Sequence, residues 1–214
     1  MKKLAGLILL VAACRSTPAE TRAEGQDVVN DSATAVSTIK DKERHLATDL
    51  ASAKAVVILP RVTRAGLGVG YSGGRGVMLT RNEQGNWSQP SFCAVNGPMA
   101  GLLAGGSRSQ VVLVFMTKSA VDKALDGKLS FGANATVASG PEKGGRAGTA
   151  SKDIYAYAMG KGTILNVSLD GLVLTTKDEW NRDYYGSDLT QYDILVGWKG
   201  EHEGTKALRE ALKK

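Results

Sequence analysis

Cys14 is the residue whose neighbours most directly predict a chemical modification. It follows the small pair Ala12-Ala13 and an apolar run over residues 4–11 that begins after two lysines. This pattern is typical of a bacterial lipoprotein signal peptide. We therefore expect residues 1–13 to be removed and the Cys14 thiol to be acylated, so that the acyl anchor holds the protein in membrane lipid. The apolar run is shorter than the roughly 20 residues that a transmembrane helix needs.

The residue after the cysteine and the charge pattern extend this expectation. Arg15 stands where enteric bacteria place an Asp to retain lipoproteins in the inner membrane, which favours the outer membrane, facing the periplasm. Removal of Lys2 and Lys3 lowers the formal net charge from +6 to +4. The remaining charges are scattered and form no dense basic stripe, so we expect no nucleic-acid partner.

Other residues able to do chemistry are few. The chain has two histidines, His45 and His202, and Cys93 is its only cysteine besides Cys14. A hydroxyl or thiol nucleophile needs a base beside it, and a structural zinc site needs four Cys or His ligands. We therefore predict no catalytic residue, no metal site, no cofactor and no enzymatic activity, although carboxylates could still hold Ca²⁺ weakly.

Three glycine-rich stretches match known motifs in spacing alone. Residues 68–73 fit G-x-G-x-x-G and residues 70–74 fit G-x-S-x-G, but a strand-like run over 76–80 follows where both motifs need a helix. Residues 140–147 have the spacing of a P-loop without the Lys that reaches the phosphates. These patterns indicate glycine turns and a loop, and neither nucleotide binding nor serine hydrolysis.

Hydrophobic periodicity predicts the elements that position these residues. Apolar residues recur at helical spacing between Asp27 and Lys54, at Val29, Val36, Ile39, Leu46, Leu50 and Ala53. Short β-like runs separated by glycine follow, at 55–59, 66–71, 76–81, 91–95, 110–117, 129–138, 154–159 and 163–175. Further helices are expected at 119–126, 177–185 and 205–214. The predicted fold class is α+β: a strongly bent, mostly antiparallel, glycine-rich and barrel-like sheet with a long N-terminal helix and short flanking helices.

The predicted order of segments is a signal peptide over 1–13, a flexible tether over 14–26, one domain over 27–197 and a polar tail with a short helix over 198–214. The tether is expected because its residues are small, polar and aperiodic. Within the domain we expect Trp87 and Tyr185 to be structural aromatic residues, and Gly186 to cap a helix.

Glycine and aromatic residues, taken in order, resemble the SYLF family, also called the Ysc84 actin-binding-type domain. The matching pieces are Val57-Ile58-Leu59-Pro60, Ala65 to Gly70, Gly74 to Val77, Gly85 to Phe92, Gly97 with Gly101 and Gly105, Gly140-Pro141, Ser168 to Gly171, and Tyr184-Tyr185-Gly186. Their order and spacing cover residues 27–197.

The resemblance implies a lipid-binding module. Eukaryotic members bind phosphoinositide membranes through basic residues and an N-terminal amphipathic helix, and some bind actin. In this chain the expected ligand is an anionic phospholipid, because guanidinium groups hold phosphate bidentately. The candidate lipid-binding residues are Arg61, Arg64 and Arg75 near the glycine turns, with Lys40, Lys42 and Arg44 on the helix. The alternative is a scaffold lipoprotein that binds another envelope protein.

Overall fold

The computed structural model describes residues 17–127, 129–133, 135, 137–139, 152–165 and 169–213, with the backbone alone for Gly68, residues 99–105 and Ser139. The predicted signal peptide, Cys14 and the stretch at 140–147 lie outside these residues. The helices are α1 (Pro18–Lys42), α2 (Arg44–Ser52), α3 (Lys118–Leu125), α4 (Asp178–Tyr185), α5 (Gln191–Leu195) and α6 (Lys206–Lys213). The strands are β1 (Ala55–Thr80), β2 (Ser91–Phe115), β3 (Val137–Ser139), β4 (Ile154–Gly160), β5 (Thr163–Leu165) and β6 (Val173–Thr176).

Helix α1 begins inside the segment predicted to be a flexible tether. Thr17 is its N-cap: the Thr17 hydroxyl oxygen accepts a hydrogen bond from the Glu20 N–H, and the Glu20 carboxylate accepts one from the Thr17 N–H at 2.8 Å. This reciprocal capping box, with Pro18 at the first helical position, stabilises the helix start. The tether prediction is therefore wrong from Pro18 onward. It relied on the polar composition of the segment and did not take the capping box into account.

The apolar stripe predicted for the N-terminal helix is confirmed, although two helices carry it. Val36, Ile39 and Leu46 are fully buried, and the remaining members of the stripe are at most 3 % exposed. The break falls at Glu43, whose extended backbone ends α1 and whose side chain accepts a hydrogen bond from the His45 N–H that starts α2.

Strands β1 and β2 form one long antiparallel ribbon. Their pairing runs from Ala55 opposite Phe115 to Met78 opposite Ser91, with irregularities at Leu59/Val62 and Leu67/Val69. The separate strands predicted at 66–71, 76–81, 91–95 and 110–117 are therefore parts of two strands. Because no turn interrupts the pairing, the glycines within the ribbon serve a purpose other than chain reversal.

Glycines let this ribbon fold back on itself. A Cβ on Gly66 would overlap the backbone of Gly70, which places a sharp bend at these residues. Beyond the bend, a Cβ on Gly74 would lie 2.8 Å from the Arg61 carbonyl oxygen, and one on Gly76 would overlap the Ile58 carbonyl oxygen. The second half of β1 thus lies against the first half at backbone contact. A side chain at these positions would push the two halves apart.

The sheet has the order β1-β2-β4-β3, with β5 on β4 and β6 on β2, and among the strands of the described residues only β3 runs parallel to its neighbour. Alternate residues of the central strands face two hydrophobic clusters. Val57 and Leu59 contribute to a cluster with α3 and α5, whereas Val56 and Ile58 contribute to a cluster with α1, α2 and α6. Burial of both faces explains the unbroken apolar run at the start of β1. The predicted α+β class with a strongly bent sheet is confirmed.

The C-terminal segment contains the predicted short helix, which is α6, but the helix is part of the core and the segment is not a polar tail. Helix α6 packs against α1 through Leu208 and Leu212, which are 0 % and 3 % exposed. Helix α5, which has its own capping box at Thr190 and Asp193, was not predicted. The structural roles of Trp87 and Tyr185 are confirmed: Trp87 is 1 % exposed, and the Tyr185 hydroxyl donates to the Pro90 carbonyl at 2.6 Å. Gly186 caps α4 with φ of 65°, as predicted.

Candidate functional site

A groove of about 1160 Å³ between α1 and the folded ribbon contains two of the predicted arginines. The Arg61 guanidinium lies 3.0 Å from the Asp31 carboxylate, and that of Arg75 lies 3.4 Å from the Glu24 carboxylate. Both acidic residues lie on α1, seven residues apart, and therefore on one face of the helix. The structure thus brings Arg61 and Arg75 to the same groove, where each is already paired with a carboxylate.

The ion pairs of this groove are solvent-exposed and exchangeable. The two arginine side chains are 67 % and 61 % exposed, and exposed pairs of this kind contribute at most about 1 kcal/mol. Trp180 forms part of the wall, with its ring 4.7 Å from the Arg75 guanidinium carbon. The stacked ring orients Arg75 without using its hydrogen-bond donors. An anionic ligand can therefore compete with the carboxylates for these two guanidinium groups.

The three predicted cations of the N-terminal helices lie elsewhere. Lys40 is nine residues beyond Asp31, or about 14 Å along the helix axis. Its ammonium donates to the Ala211 carbonyl at 3.1 Å, and partial burial lowers its pKa. Lys42 and Arg44 are exposed beside the break between α1 and α2. The structure therefore does not join these side chains to the arginines of β1, and Lys40 contacts the C-terminal helix.

The bend of the ribbon carries three exposed apolar side chains, two of which are the most exposed large apolar side chains of the described residues. Leu67 is 83 % exposed, Val69 74 % and Tyr71 58 %. They alternate with glycines along β1, and we call these three residues the apolar tip. Arg64, three residues before Leu67, is half-buried, and burial lowers its pKa. The sequence interpretation missed the tip because it treated the glycines as a turn, although alternation of apolar residues with glycine was its signal.

The described residues contain no arrangement suited to nucleophilic or metal catalysis. No group of three or more His, Cys, Asp or Glu side chains among them could hold a metal ion. The Cys93 thiol is buried and its pKa is raised to about 12, so it carries no thiolate at neutral pH. The two histidines are apart: His45 pairs with Glu43 at 2.7 Å, and His202 packs on the Tyr184 ring. Residues 68–74 continue as strand, with no helix after them.

The described residues form an α+β domain with a strongly bent sheet, a long N-terminal helix and exposed apolar side chains. The chain belongs to the Ysc84 family, whose model is described as "Las17-binding protein actin regulator" and matches residues 96–214. The match continues through α6, which agrees with the packing of that helix in the core.

Named relatives show the same domain within longer proteins. The chain is 36 % identical over 153 residues to human SH3 domain-containing YSC84-like protein 1, covering 69 % of this chain and 44 % of that protein. The Xenopus laevis protein of the same name is 35 % identical over 169 residues, covering 76 % of this chain and 50 % of that protein. LAS seventeen-binding protein 3 of Saccharomyces cerevisiae is 31 % identical over 155 residues, covering 69 % and 34 %. The chain thus spans half or less of the length of these relatives.

Among the described residues, no helix is long and apolar enough to cross a bilayer.

Proposed function

We propose that this protein is a non-catalytic lipoprotein of the bacterial outer membrane that binds anionic phospholipid surfaces from the periplasmic side. The observation that carries the proposal is the apolar tip. Leu67 and Val69 project from a bend of the sheet with 83 % and 74 % of their surface exposed. Monomeric proteins seldom leave large apolar side chains so exposed together unless that surface meets a partner or a membrane.

The energetics of tip insertion favour a membrane as the partner. Complete burial of a Leu or Val side chain contributes roughly 1.5–3 kcal/mol, and a cation near an anionic surface adds about 1 kcal/mol. Arg64 on β1 and Arg108 on β2 lie close in register, because Arg64 pairs with Ser107 and Thr63 with Arg108. Arg64 lies three residues from Leu67 along β1, which at about 3.3 Å per residue is a distance of roughly 10 Å. That distance puts its charge at headgroup depth when the tip reaches the acyl boundary.

The two predicted arginines of the groove support the same membrane-binding surface, because the groove adjoins the apolar tip. Tyr71 of the apolar tip also lines the groove that contains Arg61 and Arg75. A headgroup phosphate near the tip could therefore take the place of Asp31 or Glu24 on one of these guanidinium groups. The helix cations Lys42 and Arg44 would contribute only long-range attraction, which salt screens within about 8–10 Å.

Vesicle sedimentation tests the proposal. Both hydrophobic clusters are built from residues between Val29 and Leu212, so a fragment of residues 17–214 contains the complete core. We expect this fragment to bind phosphatidylglycerol vesicles more tightly than phosphatidylcholine vesicles, and less tightly as salt rises. The double substitution Leu67→Ser/Val69→Ser should weaken binding at least about tenfold, because it removes the apolar contact.

A matched control uses exposed apolar residues elsewhere. Tyr192 and Val196 are 64 % and 42 % exposed on and just after α5, and Tyr192→Ser/Val196→Ser should leave vesicle binding unchanged. Arg61→Gln/Arg64→Gln should weaken binding at low salt by about 1 kcal/mol per charge. Equal binding by the wild type and the tip variant would refute membrane insertion at this site.

A second candidate function is the binding of another envelope protein. Two observations favour it: the family and the yeast relative bear names that denote Las17 binding, and Tyr192, Val196 and Trp198 form a further exposed apolar set. Trp198 also has a φ of 56°, unusual for a bulky residue. If this candidate is correct, Tyr192→Ser/Val196→Ser should abolish crosslinking to envelope proteins in intact cells while the tip variant keeps it.

A further inference from the structure

A second pocket lies next to Arg61, between the ribbon and the β4–β5 hairpin. Its volume is about 300 Å³, and three cationic side chains line it, those of Arg61, Arg108 and Lys161. Among the described residues that line it, none is acidic. We call it the basic pocket. Its size is at the lower end of the range of small-ligand sites, and its charge selects for anions.

Two neighbouring elements bring the cations together. Arg108 lies on β2. Lys161 is the first residue of the two-residue turn between β4 and β5, and the turn is closed by the pair Gly160 and Thr163. Gly160 lets the hairpin lie close to β2, because a Cβ there would be only 3.3 Å from the Arg108 carbonyl oxygen.

The backbone of this turn is strained at the cationic residue. Lys161 has a φ of 50° and Gly162 a φ of 76°, so both turn residues are left-handed. That turn type suits a tight hairpin but favours Asn or Gly at its first position. A lysine there costs free energy, which makes its side chain a candidate for a functional role.

One of the residues that line the basic pocket carries an unpartnered acceptor. The Gln110 Oε1 atom is buried and has no hydrogen-bond donor within the described structure, and Gln110 lines the pocket between Ser109 and the end of β4. A buried acceptor without a donor is costly unless a ligand supplies one. The basic pocket therefore offers cations for an anionic group, and a ligand hydroxyl that reached the buried Gln110 Oε1 atom would satisfy it.

We propose that the basic pocket binds a phosphate group that carries a hydroxyl, as in a phosphomonoester or a phosphoglycerol, from a lipid headgroup or a free metabolite. Arg108 and Arg61 provide guanidinium donors that match phosphate oxygens, Lys161 provides a point charge, and Gln110 accepts the hydroxyl. Asp31 engages one nitrogen of Arg61 and leaves its other donors available. The lipid source rests on the proposed membrane function, whereas the phosphate site does not.

The test uses the full chain in nonionic detergent micelles, with backbone amide shifts of Lys161 and Gly162 as the readout. Glycerol 3-phosphate and inorganic phosphate are the soluble probes, and micelles doped with phosphatidylglycerol or with phosphatidylcholine are the lipid probes. We expect glycerol 3-phosphate to shift both amides with saturation, and Arg108→Gln to weaken its binding about tenfold. Lys118→Gln/Lys206→Gln removes charges outside the pocket and should leave binding unchanged.

Lys161→Asn separates function from folding. Asn tolerates the left-handed backbone, so this variant should raise the melting temperature while it weakens phosphate binding. Saturation by the soluble probe supports the pocket, and stronger saturation by phosphatidylglycerol micelles identifies a lipid source. Absence of saturable shifts with every probe overturns the proposal, even if the vesicle experiment succeeds. Conversely, Leu67→Ser/Val69→Ser should bind glycerol 3-phosphate normally, so the two proposals fail independently.

Discussion

Single glycines determine whether the ribbon can fold. Gly74 and Gly76 lie where the second half of β1 meets the backbone of the first half. On β2, a Cβ on Gly97 would lie 2.5 Å from the carbonyl oxygen of Gly171, in the segment that leads into β6. Other glycines of the ribbon have room: a Cβ on Gly106 would meet only the Arg64 carbonyl oxygen, at 3.7 Å. The requirement for glycine is therefore specific to position and is not a general property of this composition.

Gly76→Ala should be strongly destabilising, because the added methyl would overlap the Ile58 carbonyl and neither backbone can move without opening the sheet. We expect a loss of about 3 kcal/mol in the free energy of unfolding, the upper range for overpacking, measured by urea denaturation. Gly106→Ala is the matched control and should be neutral or stabilising by about 0.4–1 kcal/mol, since it restricts only the unfolded chain. Equal losses in the two variants would contradict this account of the ribbon.

At the scale of elements, α1 holds the molecule together. It contacts β1, α4 and α6, and its Lys40 ammonium donates to the last turn of α6. Helix α4 is in turn joined to the start of β2 by Asn181, whose side-chain oxygen accepts from the Phe92 N–H at 2.7 Å and whose amide donates to Ser91. Elements that begin and end the described chain are thus integral parts of one core.

Leu208→Ala tests whether the C-terminal helix is part of that core. Leu208 is fully buried against the α1 cluster, so its truncation should cost about 2–5 kcal/mol and lower the melting temperature. Lys206→Ala, at an exposed position of the same helix, should change stability by less than about 0.5 kcal/mol. A Leu208→Ala variant that melts with the wild type would restore the polar-tail interpretation.

How far the sequence predicted this structure depended on the range of the interactions. The apolar stripe from Val29 to Ala53 and the buried run from Ala55 were predictable, because each pattern lies within one element. The continuity of β1 was not predictable, because it depends on contacts between Gly76 and Ile58 that no local pattern reports.

The position of Arg61 and Arg75 in the groove was predictable in part. The chemistry of the two arginines was visible in the sequence, but their pairing with Asp31 and Glu24 required the packed helix. Lys161 and Arg108 were missed because only the folded hairpin brings them together.

At the scale of the whole molecule, the expected acyl anchor would determine where the domain works. Cys14→Ser should release the protein from the membrane fraction or leave it unprocessed, because two or three acyl chains provide stable anchoring at about 0.8 kcal/mol per buried CH₂. Cys93→Ala is the control and should stay in the outer-membrane fraction, since that thiol is buried in the sheet. Mass spectrometry of the mature N-terminus checks the modification, and an unmodified or full-length chain would refute it.

The capping box at Thr17 sets a limit on how far such an anchored protein can reach. Only Arg15 and Ser16 separate Cys14 from the cap of α1, a span of about 10 Å when fully extended. If Cys14 is acylated, the linker between the acyl anchor and the domain is very short. The domain then stays within its own diameter of the leaflet that holds it. Its encounters are then confined to two dimensions, where ligands are met by lateral diffusion and the opposite side of the periplasm is out of range.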